Sequence, residues 1–90
     1  MLKRFTISQK NSMKPIILSD ESDTTIEEDC EKVKEIFKTK NIYTFRTSND
    51  FLVGRPSELQ SILISEINLK AFYSRGFGLY ITIYSMNRYL

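Results

Sequence analysis

Apolar and more polar side chains alternate without a break from Gly78 to Tyr84, near the C-terminal end of the chain. Period-two alternation is typical of a β-strand with one buried face and one wetter face. Tyr80 and Tyr84 share the wetter face. Because exposed aromatic side chains often mark contact sites, this strand is the first candidate for a docking surface.

Shorter apolar runs predict five more strands: Leu2–Ile7, Pro15–Leu18, Asn41–Arg46, Phe51–Val53 and Leu69–Tyr73. Leu2–Ile7 is expected to be a short edge strand in an otherwise loose N-terminal segment, residues 1–14. Pro15–Leu18 is expected to be a buried strand that begins with proline, where no ladder donor is needed. Asn41–Arg46 and Phe51–Val53 flank a polar turn and therefore predict a hairpin.

The most regular helical pattern lies between Ile26 and Phe37, where apolar residues recur every three or four positions. Asp23 or Thr24 is expected to cap the start of this helix. Lysines follow Phe37, where the negative end of the helix dipole favours cations.

A second helix is predicted after Pro56, because proline suits the first helical position. Ser57 and Gln60 match a capping box. The apolar residues between Leu59 and Ile67 again follow a helical spacing.

From Pro15 onward, the predicted order is strand, helix, strand, strand, helix, strand, with one more strand at the end. This order matches the split βαβ arrangement of ferredoxin-like folds. We therefore expect a small α+β domain over residues 15–90, built as a ferredoxin-like βαββαβ two-layer sandwich with an extra C-terminal strand. In it, two helices cover one face of an antiparallel sheet. A different small α+β sheet is the alternative.

Charge is unevenly distributed over the 90 residues. Seven of the eleven acids lie between Asp20 and Glu31, which leaves all thirteen lysines and arginines against four acids in the rest of the chain. Placement at a helix start explains much of the acidic cluster. The remaining surface is expected to be basic, and a basic surface attracts phosphates or acidic protein patches.

The composition argues against the commonest catalytic and metal chemistry. No histidine occurs, which excludes Ser-His-Asp and Cys-His sites. Cys30 lies on the apolar stripe of the first helix and is interpreted as a buried small hydrophobe. Asp20, Glu21 and Asp23 follow a strand, but their spacing matches no ion-binding loop and they also suit helix capping. We therefore expect no metal, no cofactor and no enzymatic activity.

Arg75-Gly76-Phe77-Gly78 is similar to the opening of the base-stacking strand in the RNA-recognition motif, which begins Arg or Lys, Gly, Phe, Gly. The next position is aromatic in that family and is Leu79 here. This strand also follows the second predicted helix, whereas in the family it precedes that helix. The chain is therefore not assigned to the family.

The predicted binding platform combines three tyrosines with four cations: Tyr80, Tyr84, Tyr43, Arg75, Arg46, Lys70 and Arg88. Aromatic residues beside cations suit a protein interface, where Tyr and Arg are frequent hot spots. They also suit single-stranded nucleic acid, whose bases stack on aromatic rings. A third interpretation is that the tyrosines only pair across strands and bind nothing.

The sequence thus predicts a small non-enzymatic protein that regulates or inhibits a macromolecular partner. A protein partner is the first expectation and a nucleic acid the alternative. A His-free ribonuclease that uses Arg, Lys and Tyr is a third class. A homodimer through an open sheet face or an edge strand is also compatible with the pattern.

Alanine occurs once and isoleucine eleven times, a bias typical of the AT-rich genomes of many phages and viruses. An accessory factor that acts on a host protein is therefore expected. The single cysteine predicts a reducing, intracellular location, which would be the host cytoplasm for a viral protein. No apolar run has the length needed to cross a membrane.

Overall fold

The computed structural model describes residues 2–66 and 69–83, with residues 80–83 described by their backbone alone. Within these ranges the chain forms seven β-strands, one α-helix and one 3₁₀ turn. The strands are β1 Lys3–Gln9, β2 Ile16–Asp20, β3 Tyr43–Arg46, β4 Phe51–Gly54, β5 Leu59–Glu66, β6 Leu69–Ser74 and β7 Gly78–Ile83. The helix, α1, is Ile26–Lys38, and the 3₁₀ turn is Pro56–Glu58.

Five strands form an antiparallel sheet in the order β2-β1-β5-β6-β7, and β3 pairs with β4 in a separate hairpin. One face of the large sheet supplies the floor of the core. Phe5 of β1 pairs directly with Leu18 and with Ile64, and Ile7 pairs with Ile62. All five side chains are buried, which is what period-two alternation requires of the inward face.

The N-terminal strand β1 lies between β2 and β5, so the expectation of an edge strand at its position is wrong. The physical reason is burial: Phe5 and Ile7 are 1% and 0% exposed, and such side chains need neighbours on both sides. The β1–β2 turn contains Asn11 at φ 63°, a left-handed conformation that asparagine tolerates better than most residues. β2, predicted as a buried strand, occupies the edge of the sheet.

The helix α1 confirms the first predicted helix. Its apolar side, from Ile26 to Ile36, packs on the inward face of the sheet. Thr25, rather than Asp23 or Thr24, caps the start, because its Oγ1 accepts a hydrogen bond from the backbone N–H of Glu28 at 3.2 Å. A cap of this kind stabilises a helix by about 1 kcal/mol.

The predicted hairpin is confirmed as β3 and β4. Tyr43 and Phe45 are buried, and the Phe45 ring packs edge-on against Phe5 with ring centroids 4.8 Å apart. The hairpin therefore lies on the same side of the large sheet as α1. The opposite face of the large sheet carries neither the helix nor the hairpin.

The hairpin turn is tied to the end of β2 by hydrogen bonds. The backbone N–H of Ser48 donates to Oδ1 of Asp20 at 2.9 Å. In return, the backbone N–H of Ser19 donates to Oδ2 of Asp50, also at 2.9 Å. The position of the hairpin thus depends on polar contacts as well as on its buried rings.

The second predicted helix is wrong: after the short 3₁₀ turn, its residues form the strand β5 in the middle of the sheet. Two features imitate a helical pattern. At an irregularity in the register, Ser8 pairs with Ser61 but Gln9 pairs with Leu59. Gln60 is therefore an extra residue in β5, and the alternation of inward and outward side chains restarts after it. Leu63 then adds an apolar side chain on the face of the sheet opposite the core.

The described fold is α+β, but it contains one α-helix rather than two, so the ferredoxin-like arrangement is not confirmed. With β5 as a strand, the second half of the chain is a three-stranded meander, β5-β6-β7, joined to β1. No helix in the described residues is long and apolar enough to cross a membrane.

Candidate functional site

Four residues of the predicted platform have described side chains, and these four do not lie on one surface: Tyr43, Arg46, Lys70 and Arg75. Tyr43 is only 3% exposed and lies in the core, so its ring is not available on an open sheet face. Tyr84 and Arg88 lie outside the described residues. Tyr80 is described by its backbone, which pairs with that of Phe72 in the neighbouring strand.

Arg75 is used within the fold. Its Nε donates to the carbonyl oxygen of Leu59 at 3.1 Å, and its Nη2 donates to the carbonyl oxygen of Pro56. Its guanidinium also lies 5.4 Å from the centroid of the Phe37 ring. These contacts join the end of β6 to the 3₁₀ turn and to α1, which indicates a structural role for Arg75.

Lys70 lies on β6, on the face of the large sheet that α1 does not cover. We call this surface the open sheet face; it consists of the outward positions of β2, β1, β5 and β6. Phe72, on the same strand and the same face, is 37% exposed. Lys70 is therefore the one residue of the predicted platform whose described side chain lies on the open sheet face.

Arg46 is exposed on β3, on the side of the hairpin that faces away from the core. It pairs directly with Phe51 of β4, and its guanidinium carbon lies 4.4 Å from the centroid of the Phe51 ring. A cation over an aromatic face at this distance is a favourable contact, worth about 0.5–1 kcal/mol at an exposed site. Arg46 and Phe51 therefore form a preorganised pair.

Three large apolar side chains on the outward side of the hairpin are exposed. Ile42, directly before β3, is 59% exposed, and Phe51 and Val53 of β4 are 52% and 55% exposed. Val53 pairs with Thr44 next to the Arg46–Phe51 pair. We call the outward side of the hairpin, Ile42, Thr44, Arg46, Phe51 and Val53, the hairpin surface.

A concave cavity of about 300 Å³ opens beside the hairpin surface. Its apolar wall is formed by Ile42 and Val53, and its polar wall by Gln9, Arg55 and Glu58. The volume is at the lower end of what ligand pockets have. An apolar wall with a few polar groups opposite is the usual composition of a recognition pocket.

Gly54 lies in the wall of the cavity and covers the Tyr43 ring. A Cβ atom at position 54 would lie 2.7 Å from Oη of Tyr43, so only glycine fits without movement. The Tyr43 hydroxyl has no hydrogen-bond partner among the described residues. Burial raises the pKa of Tyr43, and the carboxylate of Glu58 adds to the rise.

A buried ionic network lies on the inward face, at the end of the sheet nearest the start of α1. Lys3 is 1% exposed, and its Nζ donates to Oδ2 of Asp29 at 2.5 Å and to both Oγ1 and the carbonyl oxygen of Thr24 at 2.6 Å. The second carboxylate, Oδ2 of Asp20, lies 3.5 Å from the same Nζ. All three donors of the ammonium group are therefore used.

Hydrogen bonds make Asp20 an unusually strong acid. Burial opposes its charge, but the Ser22 hydroxyl, the backbone N–H groups of Ser48 and Ser22, and the charge of Lys3 outweigh burial. Together they lower the pKa of Asp20 from 3.8 to about 2. The carboxylate therefore remains charged in the folded protein at any pH near neutrality.

Sequence reasoning missed this network, although signals for it exist. Lys3, Phe5 and Ile7 occupy every second position of β1 and share its inward face, so a lysine lies at an inward-facing position of the strand. Asp29 lies on the buried side of α1, between Ile26 and Val33. A cation and a carboxylate placed on two apolar stripes predict that the two side chains meet inside the fold.

Metal-binding clusters and reactive thiols are two kinds of site that the described residues can be checked for. This part of the chain contains no group of three or more acids or cysteines that could hold a metal ion. Cys30 is buried, and burial raises the pKa of its thiol, which disfavours the reactive thiolate. The hairpin surface with its cavity is thus the best candidate for a functional site in the described part of the chain.

No protein-family model, no curated protein and no solved structure matches this chain.

Proposed function

We propose that this protein is a non-enzymatic binding protein that regulates or inhibits a protein partner, and that it binds this partner through the hairpin surface. One observation carries the proposal: Ile42, Phe51 and Val53 are each more than half exposed on the outward side of one short hairpin. Large apolar side chains clustered in water are unfavourable unless a partner covers them. Their position beside a cavity strengthens the proposal, because hot spots centre on such pockets.

The chemistry of the surface favours a partner segment that is both apolar and acidic. An apolar side chain of the partner would fill the cavity between Ile42 and Val53. Arg55 in the cavity wall and Arg46 at the other end of the hairpin surface would receive carboxylates, since a planar guanidinium binds carboxylates in two-pronged geometry. Glu58 also lies on the cavity wall, and its carboxylate would disfavour a partner that places an acidic residue directly against it.

The hairpin also supports binding by strand addition. Among the described strands, β3 and β4 pair only with each other, so each has one unpaired edge. An extended segment of the partner can add to such an edge, with main-chain hydrogen bonds for affinity and side-chain pockets for specificity. If the composition bias reflects a phage or virus, the partner would be a host protein.

The test is capture of a stoichiometric partner by the tagged chain in the cells that naturally express it, with nuclease treatment of the extract. Ile42→Asp and Phe51→Ala are expected to reduce capture at least tenfold, because they remove the apolar contact. The matched control is Met13→Asp, since Met13 is also apolar and is fully exposed in the β1–β2 turn. That variant is expected to capture the partner as the unchanged chain does.

Three results would contradict the proposal. Equal capture by the hairpin variants and the control would place the interface elsewhere on the molecule. Loss of capture after nuclease treatment would assign the contact to nucleic acid. Tight binding of a single-stranded oligonucleotide that weakens steeply with salt would point the same way.

A further inference from the structure

The side chains of the open sheet face lie in three parallel rows. The middle row, which we call the apolar row, runs across four strands as Ile17, Thr6, Leu63 and Phe72, each paired directly with the next. Ile17 is 61% exposed and Phe72 37%. At about 4.8 Å between strands, this row extends for roughly 14 Å without a layer of the described fold above it.

The rows on either side differ in chemistry. On one side lies the cationic row, which contains Arg4, Ser65 and Lys70 as successive partners. On the other side lies the serine row, Ser8, Ser61 and Ser74. Ser61 and Ser74 are 8% and 7% exposed, so the serine row is recessed below its neighbours.

We infer that the open sheet face is the interface of a homodimer whose two-fold axis runs along the apolar row. Rotation about this axis places each apolar row on the other and exchanges the flanking rows. The cationic row of one copy then lies over the recessed serine row of its partner. Arg4 and Lys70 thereby avoid each other, and their long side chains fit above the short serines.

A second copy fits this face better than a nucleic acid does. Ile17 and Leu63 are aliphatic, and single-stranded nucleic acid binds chiefly on aromatic platforms. The packing is geometrically ordinary: the axis crosses the strands, so the two sheets stack with aligned strands, as in a β-sandwich with about 10 Å between sheets. The result is an isologous interface that closes after two copies.

The size of the face is also appropriate. Four strands at about 4.8 Å and six residues at about 3.4 Å give a flat footprint of roughly 390 Å² on each copy. Side-chain relief makes the accessible surface larger than this footprint, and two such surfaces place the dimer towards the lower end of specific interfaces. The hairpin surface lies on the opposite side of the fold and stays uncovered in the dimer.

The test is the mass of the full chain in solution, measured by sedimentation over a range of concentrations. The unchanged protein is expected to sediment at twice its chain mass of 10.6 kDa in the micromolar range. Ile17→Asp is expected to give the monomer, because two carboxylates would meet near the axis. Ile42→Asp is the matched control: Ile42 is 59% exposed, close to the 61% of Ile17, but lies on the hairpin surface.

A second variant tests the orientation of the two copies. Ser8→Glu is expected to tighten the dimer by about two- to thirtyfold, because the two-fold axis creates two contacts between the new carboxylate of one copy and Arg4 of the other. Ser8→Lys is expected to weaken the dimer by a similar factor. In a dimer formed through an edge strand, neither change would have this effect.

The inference fails if the unchanged chain is a monomer at 100 µM, or if Ile17→Asp remains a dimer. It also fails if Ser8→Glu and Ser8→Lys shift the equilibrium in the same direction. These outcomes are separate from those of the hairpin test, because partner capture is measured with Ile42 and Phe51 variants and self-association with Ile17 and Ser8 variants. The proposed role of either surface can therefore be refuted without refuting that of the other.

Discussion

Replacement of Lys3 by methionine is expected to be among the most destabilising single changes in this protein. Methionine is close to lysine in size, so the change removes the charge and the three hydrogen bonds while leaving little empty space. Asp29, which is 1% exposed, would then keep its buried carboxylate with one remaining hydrogen bond, from Oγ1 of Thr24 at 3.1 Å. An uncompensated buried charge of this kind costs about 3–5 kcal/mol.

This cost is large for a small domain. Domains of this size are stable by about 5–13 kcal/mol in total, so Lys3→Met would remove roughly a quarter or more of the free energy of unfolding. With a urea dependence of about 1.5 kcal/mol per molar, the unfolding midpoint would fall by roughly 2–3 M. Urea titration followed by far-ultraviolet circular dichroism measures this shift, since the chain has no tryptophan.

Two controls distinguish the loss of stability caused by breaking the buried network from the effect of replacing any lysine by methionine. Lys34→Met removes the pair between Lys34 and Glu31, whose side chains are 35% and 71% exposed, and should cost less than 1 kcal/mol. Adding Asp29→Asn to Lys3→Met removes the stranded charge and should restore at least about 1.5 kcal/mol. A deficit below 1 kcal/mol, or no rescue by Asp29→Asn, would refute the assignment of Lys3 and Asp29 as a coupled buried pair.

The remaining predictions concern Asp20 and the contact between Tyr43 and Gly54. Because the folded state lowers the pKa of Asp20 from 3.8 to about 2, its contribution is complete above pH 4 and is lost as the pH falls through 2. Acid titration should therefore show about 2 kcal/mol of stability lost in this window, and the loss should be absent in Asp20→Asn. Tyr43→Phe removes a buried hydroxyl without a described partner and should leave the melting temperature unchanged or raise it by a few degrees; a fall would reveal a missed hydrogen bond. Gly54→Ala should cost about 1–3 kcal/mol because its Cβ would meet Oη of Tyr43 at 2.7 Å, and Tyr43→Phe should recover part of that cost.

The sequence predicts correctly the elements in which apolar residues recur with a single, uninterrupted period. α1 has one apolar side and a capped start, and the β3–β4 hairpin has two short alternating runs around a polar turn. The incorrect prediction of a helix in place of β5 has the opposite cause. Its register irregularity at Gln60 and the outward Leu63 break the alternation, and the result resembles a helix.

The candidate site was harder to predict than the fold because it depends on which side of an element faces water. Tyr43 and Phe51 are aromatic residues of the same hairpin, yet one is 3% exposed and the other 52%. The tertiary packing of Tyr43 and Phe45 in the core, with Phe45 against Phe5, determines which side of the hairpin faces inward. Composition predicted a platform of aromatic residues and cations, and the tertiary contacts place one such pair, Arg46 and Phe51, side by side on the hairpin.

The buried ionic network also helps to hold in place the hairpin that carries the proposed binding surface. Asp20 contacts Lys3 with Oδ2 and accepts from the backbone N–H of Ser48, in the hairpin turn, with Oδ1. The end of β2 is therefore connected to the core lysine and to the hairpin by one side chain. Loss of the Asp20 carboxylate would remove both connections at once, whereas loss of Asp50 would remove only the hydrogen bond from Ser19. The hairpin surface should consequently become more mobile in Asp20→Ala than in Asp50→Ala, since alanine removes the acceptor oxygens, and amide exchange in β3 and β4 distinguishes the two variants. Equal exchange in both would mean that the buried rings alone position the hairpin.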